Sequence, residues 1–271
     1  MKIGIFDSGL GGLILARAIK KSMPEYDYVY LGDTKRVPYG NRSYETVFEF
    51  TKQAVDFLFR KENCAIVIVA CNTASARALR RIQQEYLIKN FPDRKVLGVL
   101  IPTAEECGKF KSVGVLGTNG TIDSNTFPEE IKKVNLKINS PICITKVFQN
   151  SAPILVPLAE EGEKVLAKPF LVKYLKPLLN KKPEAIALGC THYPFFKNEI
   201  RKITGSKVKV ISQDELIPKK LKNYFMRHPE IEKQLSKKRT TKILFTDMTK
   251  NVANLTEKWF GKNTKSEVVE I

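Results

Sequence analysis

The chain has little of what several classes of protein require. It contains two histidines and five scattered cysteines in 271 residues, whereas zinc modules use clustered ligands and secreted disulfide frameworks use paired cysteines. It has no apolar run of about 20 residues that could span a bilayer. The apolar run within its first nine residues, MKIGIFDSG, is shorter than the core of a signal peptide. We therefore expect a cytoplasmic protein that contacts no membrane and keeps its thiols free.

Acidic residues are also scarce. The chain has 46 lysines and arginines against 28 aspartates and glutamates, which gives a net charge of +18. This excess keeps a nucleic-acid partner open as an alternative. However, the lysines are spread along the chain, and no aromatic-basic motif of the RNA-binding kind accompanies them. We interpret the charge as a solvated, lysine-rich surface and expect no specific nucleic-acid binding.

Short apolar runs alternate with segments of helical spacing along the whole chain. The predicted strands are 2–6, 28–31, 65–70, 96–100, 113–116, 142–147, 185–188, 208–211 and 242–245, and the clearest predicted helices are 43–60, 73–87, 163–179 and 214–226. Several strands are apolar on both faces, as in buried parallel sheets. The pattern predicts an α/β fold with parallel sheets, in which ligands bind at the carboxyl ends of the strands.

A weak internal repeat occurs at those strand ends. IGIFDSG at 3–9 is similar to VGVLGTNG at 113–120, and AIVIVACNT at 65–73 is similar to AIALGCTH at 185–192. Both matches occur in the same order. They predict two related α/β halves, each with a cysteine at the carboxyl end of a strand. If the halves face each other, a cleft has a thiol on each wall.

The five cysteines are open to more than one interpretation. Cysteine is commonly a small buried residue, and this is our interpretation of Cys64, Cys107 and Cys143. Cys71 and Cys190 are instead each followed by polar residues and a new helix, where free N–H groups and the helix dipole are expected to lower a thiol's pKa. The histidine near Cys190 raises the possibility of zinc, but four suitably spaced ligands are missing, so we expect no metal site.

Three further segments have a plain and a functional interpretation. DSGLGG at 7–12 lacks the lysine of a phosphate-binding loop, and we interpret it as a turn that presents Asp7 and Ser8 to the ammonium and carboxylate of an amino acid. DTKRVPYG at 33–40 is either an ordinary turn or a binding loop. Glu160, in VPLAEEGE, would by itself be a solvated charge.

Taken together and in this order, six segments resemble the glutamate racemase family, a branch of the cofactor-independent aspartate/glutamate racemases. They are GIFDSGLGG, GDTKRVPYG, ACNTAS, GVLGTNGT, VPLAEEGE and GCTHYP, distributed between residues 4 and 194. The resemblance implies two similar α/β domains facing across a cleft, which we place at 1–97 plus 208–271 and at 98–207. It also implies L-/D-glutamate as substrate, a role in peptidoglycan synthesis and no cofactor. We expect a homodimer.

The resemblance also assigns roles to individual residues. Cys71 would take the α-proton of D-glutamate with the help of Asp7, and Cys190 that of L-glutamate with the help of Glu160 and His192. Two bases on opposite walls suit a reaction that removes a proton from one face of a carbon and returns one to the other. The implied substrate contacts are Asp7, Ser8, Tyr39, Gly40, Asn72, Thr73, Thr118, Thr121, Thr191 and His192.

Three alternatives remain open on the sequence. A relative could act on aspartate or another small acid, since spacing does not reveal pocket details. A basic nucleic-acid-binding protein could carry degenerate enzyme motifs. A hydrolase could use Cys190 as its nucleophile, which would need one cysteine and an acyl-enzyme. The chain begins directly with its first predicted strand, so we expect no activation of the kind that depends on an N-terminal extension.

Overall fold

The structure is a computed structural model that describes residues 1–137, 145–262 and 264–271. Its strands are β1 Lys2–Asp7, β2 Tyr28–Gly32, β3 Cys64–Val69, β4 Lys95–Gly98, β5 Ser112–Gly117, β6 Lys146–Ser151, β7 Ala185–Gly189, β8 Lys209–Ile211, β9 Thr241–Phe245 and β10 Ser266–Val268.

The α-helices are α1 Gly12–Ser22, α2 Tyr44–Arg60, α3 Asn72–Arg77, α4 Leu79–Arg81, α5 Ile88–Asn90, α6 Leu100–Cys107, α7 Asn119–Asp123, α8 Thr126–Lys137, α9 Leu155–Glu160, α10 Lys164–Leu179, α11 Lys197–Thr204, α12 Gln213–Arg227, α13 Pro229–Glu232 and α14 Lys250–Trp259. Short 3₁₀ helices span Tyr39–Asn41 and Tyr193–Phe196, and a π-helical turn spans Ile82–Leu87.

The strands form two sheets in which every described pair is parallel, which confirms the predicted fold class. The first sheet has six strands in the order β10-β9-β2-β1-β3-β4, and the second has four in the order β6-β5-β7-β8. Every residue of β3 is buried, and its sequence CAIVIV is rich in the β-branched residues that pack well in such sheets.

The two sheets share one topology. The order β2-β1-β3-β4 in the first is repeated as β6-β5-β7-β8 in the second, and the first sheet gains β9 and β10 at its β2 edge. Within each repeat, the strand that carries the glycine-rich turn pairs directly with the cysteine strand. This arrangement agrees with the two related halves that the internal repeat predicts.

Several predicted boundaries differ from the observed ones. The predicted strand 96–100 ends at Gly98, because α6 begins at Leu100. The predicted helix 73–87 is interrupted by the π-helical turn. The predicted strand 142–147 lies partly outside the described residues, and β6 continues to Ser151. Strand β10 was not predicted, because it has only three residues, two of which are exposed, and so gives no buried strand pattern.

The division into domains stays a prediction, and the strand pairing refines it. Strand β8 pairs with β7 in the second sheet, although the predicted boundary assigns it to the first domain. Strand β9 pairs with β2 in the first sheet, so the chain returns between β8 and β9. We therefore propose the same two segments with the second ending at residue 211.

The two sheets share one of their hydrophobic clusters. One cluster of buried side chains includes Ile3 and Ile5 of β1 together with Ile186 and Leu188 of β7. Shared apolar burial of this kind stabilises the relative position of the sheets. Among the described residues, no helix combines the length and apolar character that crossing a membrane requires.

Candidate active site

A cavity of about 290 Å³ lies between the carboxyl ends of the two sheets. This volume is near the lower end of small-molecule sites, which run from about 300 to 1,000 Å³. Its lining residues are Ser8, Gly9, Val37, Pro38, Tyr39, Gly40, Cys71, Asn72, Thr73, Thr118, Val156, Pro157, Glu160, Gly189, Cys190, Thr191 and His192. The predicted site residues therefore meet at one place, except that Asp7 and Thr121 do not line the cavity.

Asp7 and Thr121 lie directly behind the lining. Asp7 is the last residue of β1 and is fully buried, and its Oδ2 accepts N–H groups of Gly9 at 3.2 Å and Gly12 at 3.1 Å. Thr121 is also fully buried, and its hydroxyl is 3.2 Å from that of Thr118 and 3.4 Å from that of Thr73. Both residues can therefore shape the cavity without being exposed in it.

The first thiol lies at the junction of β3 and α3. Cys71 is the N-cap of α3, and its Sγ accepts the Ala74 N–H at 3.4 Å and the Ser8 hydroxyl at 3.2 Å. The sequence predicts a lowered pKa at this helix start, and that prediction is wrong for Cys71. Burial and, after it, the nearby Asp7 raise the pKa to about 12, and the two hydrogen bonds offset only part of this rise.

Asp7 is the acidic side chain whose charge raises the pKa of Cys71. Burial raises the pKa of its carboxyl group, and the charge of His192 and the N–H groups of Gly12 and Gly9 compensate only in part. Within the described part of the chain, Asp7 Oδ1 has no hydrogen-bond partner. A buried carboxyl group in this position can hold a proton close to the first thiol.

The second thiol follows β7 and has a different set of neighbours. Cys190 Sγ is 3.8 Å from His192 Nδ1, and His192 Nε2 is 2.9 Å from Glu160 Oε1. The cysteine and the histidine are buried, whereas the Glu160 side chain is about one-third exposed. The three groups form a chain from the cavity towards solvent, along which a proton can be relayed.

His192 is held in its charged form. Burial by itself lowers the pKa of the imidazole, but hydrogen bonds to Cys190 and Glu160 and their negative charges outweigh burial and raise it to about 10. A cation 3.8 Å from a sulfur stabilises a negative charge on that sulfur. Glu160, a solvated charge if considered alone, is thus part of the site.

Three buried residues that support the lining were not predicted. Asp33 accepts the Tyr39 hydroxyl at 2.5 Å and so fixes that side chain. Gln213 forms a reciprocal amide pair with Asn72, with both N···O distances 2.8 Å. Trp259 packs edge-on against His192 with ring centroids 5.7 Å apart. Asp33 lies within a matched motif, but no local signal marks the other two, because each reaches the site from a distant segment.

The remaining cysteines lie away from the cavity lining or outside the described residues. Cys64 and Cys107 are fully buried, which confirms their interpretation as core residues, and burial raises the pKa of each to about 12. Cys143 lies outside the described residues. Within the ranges that the structure describes, no group of three or more histidine, cysteine, aspartate or glutamate side chains could hold a metal ion.

Sequence comparison places this site in a known context. The family described as Asp/Glu/Hydantoin racemase matches residues 14–215. A glutamate racemase of Aquifex aeolicus is 36% identical over 99% of this chain and 97% of its own length. One of Sulfurihydrogenibium sp. is 35% identical over 100% of this chain and 98% of its own.

Solved structures give the same result. The glutamate racemase of Francisella tularensis in complex with D-glutamate superposes with a TM-score of 0.85, covering 99% of this chain and 97% of that one at 29% identity. That of Aquifex pyrophilus has a TM-score of 0.78, with 99% and 98% coverage at 34% identity. Full-length similarity of sequence and fold, together with the two-thiol cavity, shows that the chain belongs to the glutamate racemase family of isomerases.

Proposed function

We propose that the protein interconverts L- and D-glutamate by proton transfer between two cysteines, without a cofactor. The observation that carries the proposal is that two buried thiols from different sheets line one small cavity. The relatives at about 35% identity are glutamate racemases, and one similar structure contains D-glutamate. A single nucleophile, as in a cysteine hydrolase, would not require the second thiol.

The charges around the thiols support one resting state. Cys71, with its pKa raised by burial, is a thiol, and the positively charged His192 lies 3.8 Å from the Cys190 sulfur. L-glutamate would then lose its α-proton to the Cys190 sulfur and receive a proton from the Cys71 thiol on the opposite face. The product is D-glutamate, with Cys190 now a thiol and Cys71 a thiolate. The reverse reaction begins from that second state.

The surroundings also support binding of an α-amino carboxylate. Four of the residues that line the cavity carry hydroxyl groups, namely Ser8, Thr73, Thr118 and Thr191. Hydroxyl and backbone N–H donors fixed around the α-carboxylate would stabilise the charge that develops when the α-proton leaves. The implied contacts of Tyr39, Gly40 and Asn72 lie on the same lining.

The biological role follows from the product. D-glutamate is the form that peptidoglycan synthesis requires, so we propose that the enzyme supplies it for the cell wall.

A cytoplasmic location and a homodimer stay predictions. The net charge of +18 is assigned to a solvated surface, and binding to random duplex DNA should be no tighter than about 10⁻⁴–10⁻⁶ M at physiological salt.

The proposal is tested by following optical rotation of purified, chelator-treated protein with each enantiomer of glutamate and of aspartate. We expect L- and D-glutamate to interconvert with equal kcat/KM, because the equilibrium constant between enantiomers is one. Turnover of aspartate but not of glutamate would refute the assignment of glutamate as the substrate. Activity that appears only after zinc or pyridoxal phosphate is added would refute the mechanism.

A further inference from the structure

Gln213 is buried where the chain crosses between the two sheets. It is the first residue of α12 and follows Ser212, the N-cap of that helix, which comes directly after β8. Only 2% of its surface is exposed to solvent. A buried primary amide must satisfy two N–H donors and a carbonyl oxygen. Its partners therefore reveal what the side chain does.

All of its partners come from two other junctions of the chain. Gln213 Nε2 donates to Asn72 Oδ1 at 2.8 Å and to Thr103 Oγ1 at 3.2 Å, and Gln213 Oε1 accepts from Asn72 Nδ2 at 2.8 Å. Asn72 begins α3 next to the first thiol, and Thr103 lies in α6, where the chain first leaves the six-stranded sheet. The Gln213 amide thus connects the two segments in which the chain passes between the sheets, at α6 and α12, to the active site.

The direction of each hydrogen bond is determined by Thr103. Its hydroxyl donates to the carbonyl oxygen of Val99 at 2.7 Å, so its oxygen can only accept from Gln213. That contact requires the NH₂ group of Gln213, and not its oxygen, on the Thr103 side. The Gln213 oxygen must then face the Asn72 NH₂ group, which fixes the orientation of Asn72 as well.

The pairing determines what Asn72 can offer a substrate. One N–H of Asn72 is used by Gln213, and the second remains on a side chain that lines the cavity. A fixed N–H donor suits a carboxylate oxygen, whereas a freely rotating amide could present either its oxygen or its nitrogen. Fixing the donor before binding also avoids the loss of side-chain freedom on association.

We propose that Gln213 is a positioning residue that holds Asn72 as a hydrogen-bond donor to a substrate carboxylate. The inference rests on the proposed function, since it assigns the substrate group that Asn72 binds. Gln213 forms no hydrogen bond with either thiol, so we assign it to substrate binding and not to the proton transfers. Loss of binding that is equal in the ground state and the transition state raises KM and leaves kcat unchanged.

The test uses Gln213→Met in the full chain, assayed with both glutamate enantiomers. We expect KM to rise about tenfold in both directions while kcat changes less than about threefold. Gln83→Met is the matched control, because Gln83 also donates from Nε2 to a carbonyl oxygen, that of Val96 at 2.8 Å, but does not line the active-site cavity. The control should leave both constants unchanged.

A double-mutant cycle separates positioning from a general loss of stability. If Gln213 acts through Asn72, the Asn72→Ala and Gln213→Met effects on KM should not add, and the double variant should equal Asn72→Ala. Thr103→Val removes the group that orients Gln213 and should raise KM about two- to threefold even if Gln213→Met fails to fold.

The outcomes distinguish the two proposals. Wild-type protein that does not racemise glutamate would overturn the proposed function. Active wild-type protein with an unchanged KM in Gln213→Met, or with fully additive effects of Gln213→Met and Asn72→Ala, would overturn the role of Gln213 alone. A fall in kcat at constant KM would also overturn it, since it would assign Gln213 to the chemical step.

Discussion

The two thiols occupy equivalent positions in equivalent sheets, yet their neighbours differ. Cys71 has a hydroxyl donor and a buried carboxyl group whose pKa is raised by burial. Cys190 has an imidazole whose pKa is raised to about 10 and, behind it, a carboxylate in contact with solvent. The repeated topology places the sulfurs, but the residues around each strand end bring different charges to each sulfur.

This difference bears on how a symmetrical reaction is catalysed. The enantiomers have equal free energies, so kcat/KM must be equal in the two directions for every variant. Unequal surroundings of the thiols can therefore appear only in kcat and KM separately, in isotope effects and in stability.

The largest effect is expected from the thiols themselves. Cys71→Ser and Cys190→Ser should each lower racemisation by at least about 10³-fold, because each enantiomer needs one base and one opposed acid. The two variants should differ on β-chloroglutamate, where chloride leaves after deprotonation and no reprotonation is needed. Cys71→Ser should eliminate from the L-isomer and Cys190→Ser from the D-isomer, measured as chloride release.

The reverse preference would exchange the facial roles of the two cysteines and keep the mechanism. Undiminished racemisation by both serine variants would refute the two-base reaction. Cys107→Ser provides a matched control, because this buried thiol lies away from the cavity lining.

The next largest effect concerns the groups that serve each thiol. Asp7→Asn and His192→Asn should each lower kcat about 10²-fold, the lower end of what a positioned acid or base contributes. In His192→Asn, proton removal by Cys190 becomes slow, so we expect the α-deuterium isotope effect to be larger with L-glutamate than with D-glutamate. In Asp7→Asn we expect it to be larger with D-glutamate. Identical isotope effects with both enantiomers in both variants would mean that the neighbours do not serve separate thiols.

A smaller effect is expected where the two halves touch beside the second thiol. A Cβ at Gly11 would lie 2.5 Å from Thr191 Oγ1 and 2.6 Å from His192 Nδ1, closer than atoms can approach. Gly11→Ala should therefore displace these residues and raise KM about tenfold. Gly40→Ala is the control at the opposite edge, since its nearest atom would be 3.4 Å away on Thr118. Equal KM values for the two alanine variants would contradict close packing at Gly11.

The smallest effect is on stability, and its sign should differ between the two sides. A buried acid with a raised pKa costs stability once the pH exceeds its unfolded value of 3.8. Asp7→Asn should then raise the melting temperature at pH 7 by about 2–4 °C, the shift expected for about 1 kcal/mol in a protein of this size.

His192 should show the opposite sign. Because its pKa rises from 6.5 to about 10 on folding, the stability it contributes is fully present below pH 6.5 and is lost as the pH rises to about 10. His192→Asn should melt below the wild type at pH 7, and the difference should shrink towards pH 10. A difference that is constant from pH 6 to pH 10 would exclude a charged His192 in the native state.

Much of the fold could be predicted because parallel strands have a strong local pattern. Runs such as CAIVIV are apolar at every position and give clear strand positions. Strand β10 could not be predicted because it is short and mostly exposed. The sheet to which β8 belongs could not be predicted either, because nothing in its three residues indicates which of the two sheets they join. Sheet membership depends on pairing between distant segments.

The amino-acid sequence by itself determined the two strand-end cysteines, the motifs around them and the residues that should share a cavity, because each depends on local spacing and residue type. Only the tertiary structure decided the state of the groups. Burial reverses the helix-dipole expectation at Cys71, contact with Glu160 and Cys190 keeps His192 charged, and Gln213 reaches Asn72 from 141 residues away. Desolvation and pair interactions depend on which distant segments pack together, and no local pattern records them.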